Sequence, residues 1–115
     1  MNISDLEKEI IAFRDLRNWK QFHTVKDLLL GLNIEVSELS ELFLWKNELE
    51  IADVDRHAIA DELADIFVFL SYLAQHFEID LAQAVVQKLH KNNLKYPLEK
   101  SYNSNKKYNQ FESHE

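Results

Sequence analysis

One glycine, Gly31, and one proline, Pro97, punctuate all 115 residues. Average usage would place about 8 glycines and about 6 prolines in a chain of this length. A β-sandwich or barrel needs many tight turns, and glycine and proline make them. A glycine-rich phosphate loop needs clustered glycines so that backbone can approach phosphate. This sequence supports neither. What remains is an all-α chain of helices joined by few loops. At 46% hydrophobic and 29% charged residues, it can bury one core and stay in solution, as one domain.

Four helical segments follow from the 3.6-residue periodicity. The first begins at Ser4, with Glu7 completing a capping box, and its stripe is Leu6, Ile10 and Phe13, extending to Arg17. Residues 18–23 hold two aromatics without a period and read as a connection. Thr24 caps the second helix, with Asp27 in its first turn, where the helix dipole favours an anion. Its stripe is Val25, Leu28, Leu32, Val36, Leu39 and Phe43. Gly31 inside it costs about 1 kcal/mol against alanine, and close helix contact is the reason assigned.

Residues 46–54 are polar and read as a loop. The third helix starts near Asp53 or Asp55 and runs to about Phe77, with the stripe Ile59, Leu63, Ile66, Leu70, Leu73 and Phe77. Asp80 caps the fourth, with Gln83 in the capping-box position. Leu81, Val85, Leu89 and Tyr96 carry its period, and Pro97 stops it. The helical domain is therefore expected over residues 1–97, with residues 98–115 as a polar, mobile tail.

Several function classes drop out. With no cysteine there is no disulfide, no Cys-ligated zinc, no iron–sulfur cluster and no thiol catalysis, which is compatible with a cytoplasmic setting. Residues 1–10 are acidic and polar, unlike a signal peptide. The strongly apolar stretch 66–74, interrupted by Ser71, is far short of the roughly 20 residues a membrane span needs. A net charge of −7 repels nucleic acid and anionic lipid, so neither is an expected partner. A free nucleotide is also an anion, and binding one requires metal ions or a local Lys/Arg cluster.

The chemistry-bearing feature is a repeated spacing. Glu35-Val-Ser-Glu38 lies in the second helix and Glu62-Leu-Ala-Asp65 in the third. Residues three apart on a helix are neighbours on one face, so each helix presents a carboxylate pair. Packed antiparallel, the helices can bring the pairs together. Four converging carboxylates raise one another's pKa, and a divalent cation removes the repulsion. Oxygen ligands without His or Cys select a hard ion, Mg²⁺ first and Mn²⁺ second. Acidic pairs are also common on solvated helix faces, and pattern alone balances the two readings. A di-iron bundle needs a carboxylate three residues before a His. The residues so placed before His23, His57, His76, His90 and His114 are Lys20, Val54, Leu73, Gln87 and Phe111, so that metal reading falls away.

The fourth helix supplies the opposite charge. Lys88, Asn92 and Lys95 share one face, with Tyr96 beside them, and can hold phosphate oxygens and a base or sugar edge. The bland alternative is a solvated polar face. Trp19, Phe22, His23 and Trp45 suit an aromatic base pocket, the alternative being ordinary core or subunit interface. Leu29, Leu30, Leu42 and Trp45 in the second helical region, and Phe67, Phe69, Tyr72 and Ala74 in the third, put apolar side chains on more than one face. A lone protomer of this size has too few partners for them, and large apolar patches mark interfaces, so an oligomer is expected.

The order Trp19-x-x-Phe22-His23, Leu28-Leu29-Leu30, then Glu35-x-x-Glu38-Leu39-x-Glu41-Leu42-Phe43-x-Trp45 resembles the MazG-like all-α nucleoside triphosphate pyrophosphohydrolases, and within them the dCTP pyrophosphatase branch. Glu62-Leu63-x-Asp65, separated from Glu38 by 23 residues, and Lys88…Asn92…Lys95-Tyr96-Pro97 extend the likeness over about residues 10–97. The resemblance implies a four-helix bundle assembling into a homo-dimer or homo-tetramer, with substrate pockets at subunit contacts. It implies Mg²⁺-dependent hydrolysis of dCTP or a modified dNTP between the α- and β-phosphates, giving monophosphate and pyrophosphate. In that reading Glu35, Glu38, Glu62 and Asp65 hold the metal, and Glu38, ahead of Glu35, activates the water. Trp19, His23, Trp45 and Asn92 surround the nucleoside, while Lys88, Lys95 and Tyr96 approach the phosphates. The chain departs from the dCTP-preferring pattern at Ile10, where relatives carry a base-contacting His, and at Phe69, which stands for an aromatic hydroxyl at the substrate site. A non-catalytic helical interaction module and a nucleotide sensor keeping the same pocket are the competing functions.

Overall fold

The computed structural model describes residues 1–111 and is all-α, with no strand among the described residues. Four long helices, α1 (Ile3–Leu16), α2 (Val25–Glu41), α4 (Arg56–His76) and α5 (Leu81–Lys95), are the four expected from the periodicity. Two short ones, α3 (Glu48–Ala52) and α6 (Leu98–Ser101), and 3₁₀ turns at Trp19–Phe22 and Tyr108–Gln110 add to them. The chain forms two compact units, Met1–Ile79 and the part from Asp80 onward.

The helix starts are fixed by side-chain oxygens meeting amides that would otherwise lack partners. Thr24 Oγ1 accepts from the Asp27 amide at 3.1 Å and Asp80 Oδ1 from the Gln83 amide at 3.0 Å, as the sequence suggests. Asp55 Oδ1 accepts from the His57 amide at 3.0 Å, which chooses Asp55 over Asp53. At α1 the cap is Asn2, not Ser4: Asn2 is extended and its Oδ1 takes the Asp5 amide at 2.8 Å, leaving Ser4 inside the helix. The segment 46–54, expected as a loop, contains α3. Asn47 and Glu50 close a reciprocal capping box that sustains this short helix despite its polar composition. Residues 18–23 are likewise not plain coil, since Trp19–Phe22 make one 3₁₀ turn.

Glycine is scarce even where helices end in the left-handed region that favours it. Asn18 (φ 54°), Trp45 (φ 63°), Glu78 (φ 55°) and Asn103 (φ 60°) occupy those positions. Asparagine tolerates this conformation, but a bulky residue such as Trp45 bears strain there. Gly31 is used elsewhere, inside α2, where a Cβ would run into the Phe69 ring of α4.

That contact belongs to a series. Leu28 packs with Tyr72, Gly31 meets Phe69, and Glu35 approaches Asp65. Numbers rise on α2 as they fall on α4, so the two helices are antiparallel. α1 lies on α4 through Ile10 and through Arg14, whose Nη1 donates to Gln75 Oε1 at 3.0 Å. Ile10, Leu28 and Tyr72 form the buried core, with Ile11, Phe67, Val68, Phe69 and Leu73 packed around it. Burying a side chain such as Leu28 contributes about 1.5–3 kcal/mol.

The expected core stripe of α4 is only partly right. Leu63 and Phe77 are more than half exposed in the protomer, whereas Ser71, Tyr72 and Ala74 are buried. With apolar residues on several faces, periodicity does not say which face meets α2; the Gly31–Phe69 approach selects it. In the expected tail, residues 98–107 carry α6 and the Tyr108–Gln110 turn follows, while residues 112–115 lie outside the described residues.

Candidate active site

α2 and α4 bring three of the four singled-out carboxylates together. Glu35, Glu62 and Asp65 each offer an oxygen within 4.8 Å of the others. Glu38, one turn beyond Glu35 and half-buried, stands outside this trio. It is nevertheless close enough to act on its neighbours. Desolvation first, then Glu38 and Asp65, push the Glu35 carboxyl up to about 7. Desolvation also raises Glu62, to which Glu38 and Asp65 add, while the nearness of Glu35 works the other way.

Glu35 Oε2 and Glu62 Oε2 are buried without a hydrogen-bond partner. Among the described residues no Lys or Arg answers them, since the ion pair present is Arg14–Asp15. Buried carboxylate oxygens without donors are costly unless protonated or bound to a cation. The donor set is all hard oxygen and fits a small divalent cation.

Beside the carboxylates opens a cavity of about 480 Å³. Ile10, Phe13, Trp19, His23, Val68, Phe69 and Tyr72 line it, with Leu6 and Glu9 at α1 and Asp65 at its edge. Its walls are rings set edge to face: Phe13 on Trp19 at 5.8 Å and Phe69 on Tyr72 at 6.0 Å between centroids. The His23 ring lies 4.6 Å from that of Tyr72, and its Nδ1 is buried without a partner. Burial, then the Arg14 guanidinium, lower the His23 pKa, so this imidazole is neutral at neutral pH. A larger groove of about 590 Å³ runs along Ser4, Glu7, Asp15 and Gln75, but it holds none of the candidate site residues named from sequence.

Trp19, His23 and Phe69 thus share one cavity with the metal-site candidate Asp65. Trp45 does not join them: it is 90% exposed, in the left-handed conformation after α2. Lys88, Asn92 and Lys95 follow one face of α5, and Tyr96 is its C-cap, in the second unit. Tyr72 in the cavity wall and Arg14, which acts on His23, are among the residues that escaped sequence reasoning. Tyr72 follows Phe69 by three, a spacing that puts both rings on one face. Arg14, 3% exposed, carries no signal at all, because off-stripe arginines are usually solvated.

Comparison with known proteins matches residues 30–111 to the model of the MazG-like family. A dCTP pyrophosphatase 1 from Mus musculus is 38% identical over 111 residues, covering 92% of this chain and 65% of that protein. The dCTP pyrophosphatase 1 of Homo sapiens is 36% identical over the same shares. The chain therefore spans 65% of the length of these curated relatives. Among solved structures, a pyrophosphatase from Archaeoglobus fulgidus is similar with a TM-score of 0.76 and 35% identity, over 83% of this chain and 92% of that one.

Proposed function

Because the chain belongs to the MazG-like family, we propose that it is a Mg²⁺-dependent nucleoside triphosphate pyrophosphohydrolase acting on dCTP or a modified dNTP. The observation that carries this reading is Asp65, which borders both the carboxylate cluster and the aromatic cavity. A ligand seated there has a flat apolar end and a polyanionic end, as a nucleotide does.

In this reading Glu35, Glu38, Glu62 and Asp65 would hold Mg²⁺, which would supply charge neutralisation at the phosphates. Glu38, standing outside the tight trio, is the carboxylate least committed to coordination, with an oxygen to orient the attacking water and accept its proton, and Glu35 is the second candidate. Water oxygen bonds to phosphorus, the link between the α- and β-phosphates breaks, and pyrophosphate leaves. Lys88, Lys95 and Tyr96 meet the phosphates, including the charge that grows on the leaving group. Trp19 and Phe69 offer ring faces to the base, neutral His23 offers it a hydrogen-bonding edge, and Asn92 takes the nucleoside.

We propose further that the protein works as a homo-dimer or homo-tetramer. Leu30, Ile34, Leu44, Val86 and Leu94 are all more than half exposed in the protomer. A second copy of the chain covers such surfaces, and Trp45 then serves a pocket at the subunit contact. Light scattering at micromolar concentration is expected to give a multiple of the 13.6 kDa protomer mass, and a stable monomer refutes the assembly.

The decisive experiment incubates canonical and modified dNTPs and NTPs with the protein and Mg²⁺ and analyses the products. Monophosphate and pyrophosphate in equal amounts are expected. Orthophosphate release, or no turnover of any member of the panel, overturns the reading.

A further inference from the structure

At the end of α5 the chain folds back on itself. Tyr96 caps the helix, Pro97 opens α6, and the Tyr108–Gln110 turn follows ten residues later. Gln110 N donates to Lys107 O at 2.8 Å, and Lys107 N donates to Gln110 Oε1 at 3.1 Å, which closes the turn. The turn places two rings against the helix end. Tyr96 meets Tyr108 at 6.1 Å and Phe111 at 5.8 Å, both edge to face. The Lys95 ammonium lies 5.1 Å from the centroid of the Tyr108 ring. The family match runs to residue 111 and so includes this turn.

The way Lys95 is held matters chemically. A carboxylate partner would neutralise the ammonium and occupy its donors. Among the described residues no carboxylate pairs with Lys95. An aromatic face attracts the cation through its quadrupole and leaves the charge intact, with N–H donors free for an anion. It also limits the rotamers of a long side chain before any ligand arrives, so less freedom is surrendered on binding.

We infer that Tyr108 is a positioning residue, which holds the Lys95 ammonium ready for the phosphate chain of the substrate. Phe111 steadies it through their shared contact with Tyr96. This rests on the reading above that Lys95 meets phosphate.

The test uses the full-length protein with Mg²⁺ and the dNTP turned over fastest in the substrate panel. Tyr108→Leu removes the ring and lowers kcat/KM roughly two- to five-fold, the scale of an exposed cation–π contact. Tyr108→Phe keeps the ring and retains wild-type kcat/KM, which a role for the hydroxyl does not allow. Lys95→Met lowers kcat/KM by more. Adding Tyr108→Leu to Lys95→Met causes no further loss, because the ring acts through the ammonium. If Lys95→Met is impaired while Tyr108→Leu matches wild type, the inference fails and the reading of Lys95 stands. Failure of Tyr108→Phe to rescue, or additive losses in the double variant, also overturns it. If Lys95→Met is silent, the role of Lys95 is wrong and the inference falls with it.

Discussion

Two surfaces of the first unit meet at Asp65 and are held together by opposite means. Towards α2, Glu35 and Glu62 crowd the same few ångströms as Asp65, with orphaned oxygens and raised pKa values. Towards α1 and the Trp19–Phe22 turn, Phe69 and Tyr72 pack against rings and aliphatic chains, with the buried His23 Nδ1 left unpartnered. The polar half repels itself, and a proton or a cation relieves it; the apolar half is held by packing. The difference teaches that packing makes a preformed pocket here, while charge makes an unfinished one.

The sharpest way to break the comparison is at the shared residue. Asp65→Asn keeps shape but removes a hard anionic ligand, and kcat should fall on the order of 10²–10³-fold, with substrate binding changed less. Wild-type turnover in this variant would remove the carboxylate cluster from the chemistry. On the apolar side, Trp19→Ala should raise KM roughly 5- to 150-fold, the range of base–aromatic stacking, with kcat less affected. Near-ultraviolet circular dichroism first checks that Phe13, which packs on Trp19, keeps its place.

The next contrast is in stability. Mg²⁺ at about 100 times its Kd should stabilise the fold by about 2.7 kcal/mol, read as a rise in Tm. Glu62→Gln should abolish most of that rise, whereas Trp19→Ala should keep it. An unchanged Mg²⁺ effect in Glu62→Gln would put the ion elsewhere.

The smallest effect is the pH dependence of the metal-free protein. Folding raises the Glu35 pKa from 4.5 to about 7, so the folded state binds the proton more tightly than the unfolded one. That contribution is fully present below pH 4.5 and is lost as pH rises through about 7. His23 works in the opposite sense: its lowered pKa stabilises above 6.5, and this is lost as pH falls through the folded value. Chelator-treated protein should therefore lose Tm between those pH values, with a shallower fall in Glu35→Gln. Equal slopes in the two proteins would show that Glu35 does not titrate as described.

The carboxylate pairs were legible because a three-residue spacing on a helix maps directly onto one face, and because Thr24, Asp55 and Asp80 announce where helices start. The partner face of α4 was less so. Leu63 and Phe77 fit the period as well as Phe69 and Tyr72 do, and only the three-dimensional approach at Gly31 separates them. α3 was hidden because its stability comes from the Asn47–Glu50 box rather than from an apolar stripe. Trp45 shows a different limit: local sequence makes it a good stacking residue, but its surroundings depend on backbone at φ 63° and on surfaces a single protomer does not cover.

Gly31 lies one helical turn from Glu35, and its contact Phe69 lies one turn from Asp65. The hydrogen atom that serves as the side chain of Gly31 therefore lets α2 and α4 approach closely beside the carboxylate cluster. Ions are told apart by radius: Mg²⁺ asks for oxygens at about 2.0–2.1 Å and Ca²⁺ for oxygens at about 2.3–2.6 Å. A few tenths of an ångström between two helices is the same size as that difference. A methyl group at position 31 would have to displace the Phe69 ring one turn from Asp65, so in the proposed metal site the placing of the carboxylates is tied to a residue that would never touch the ion.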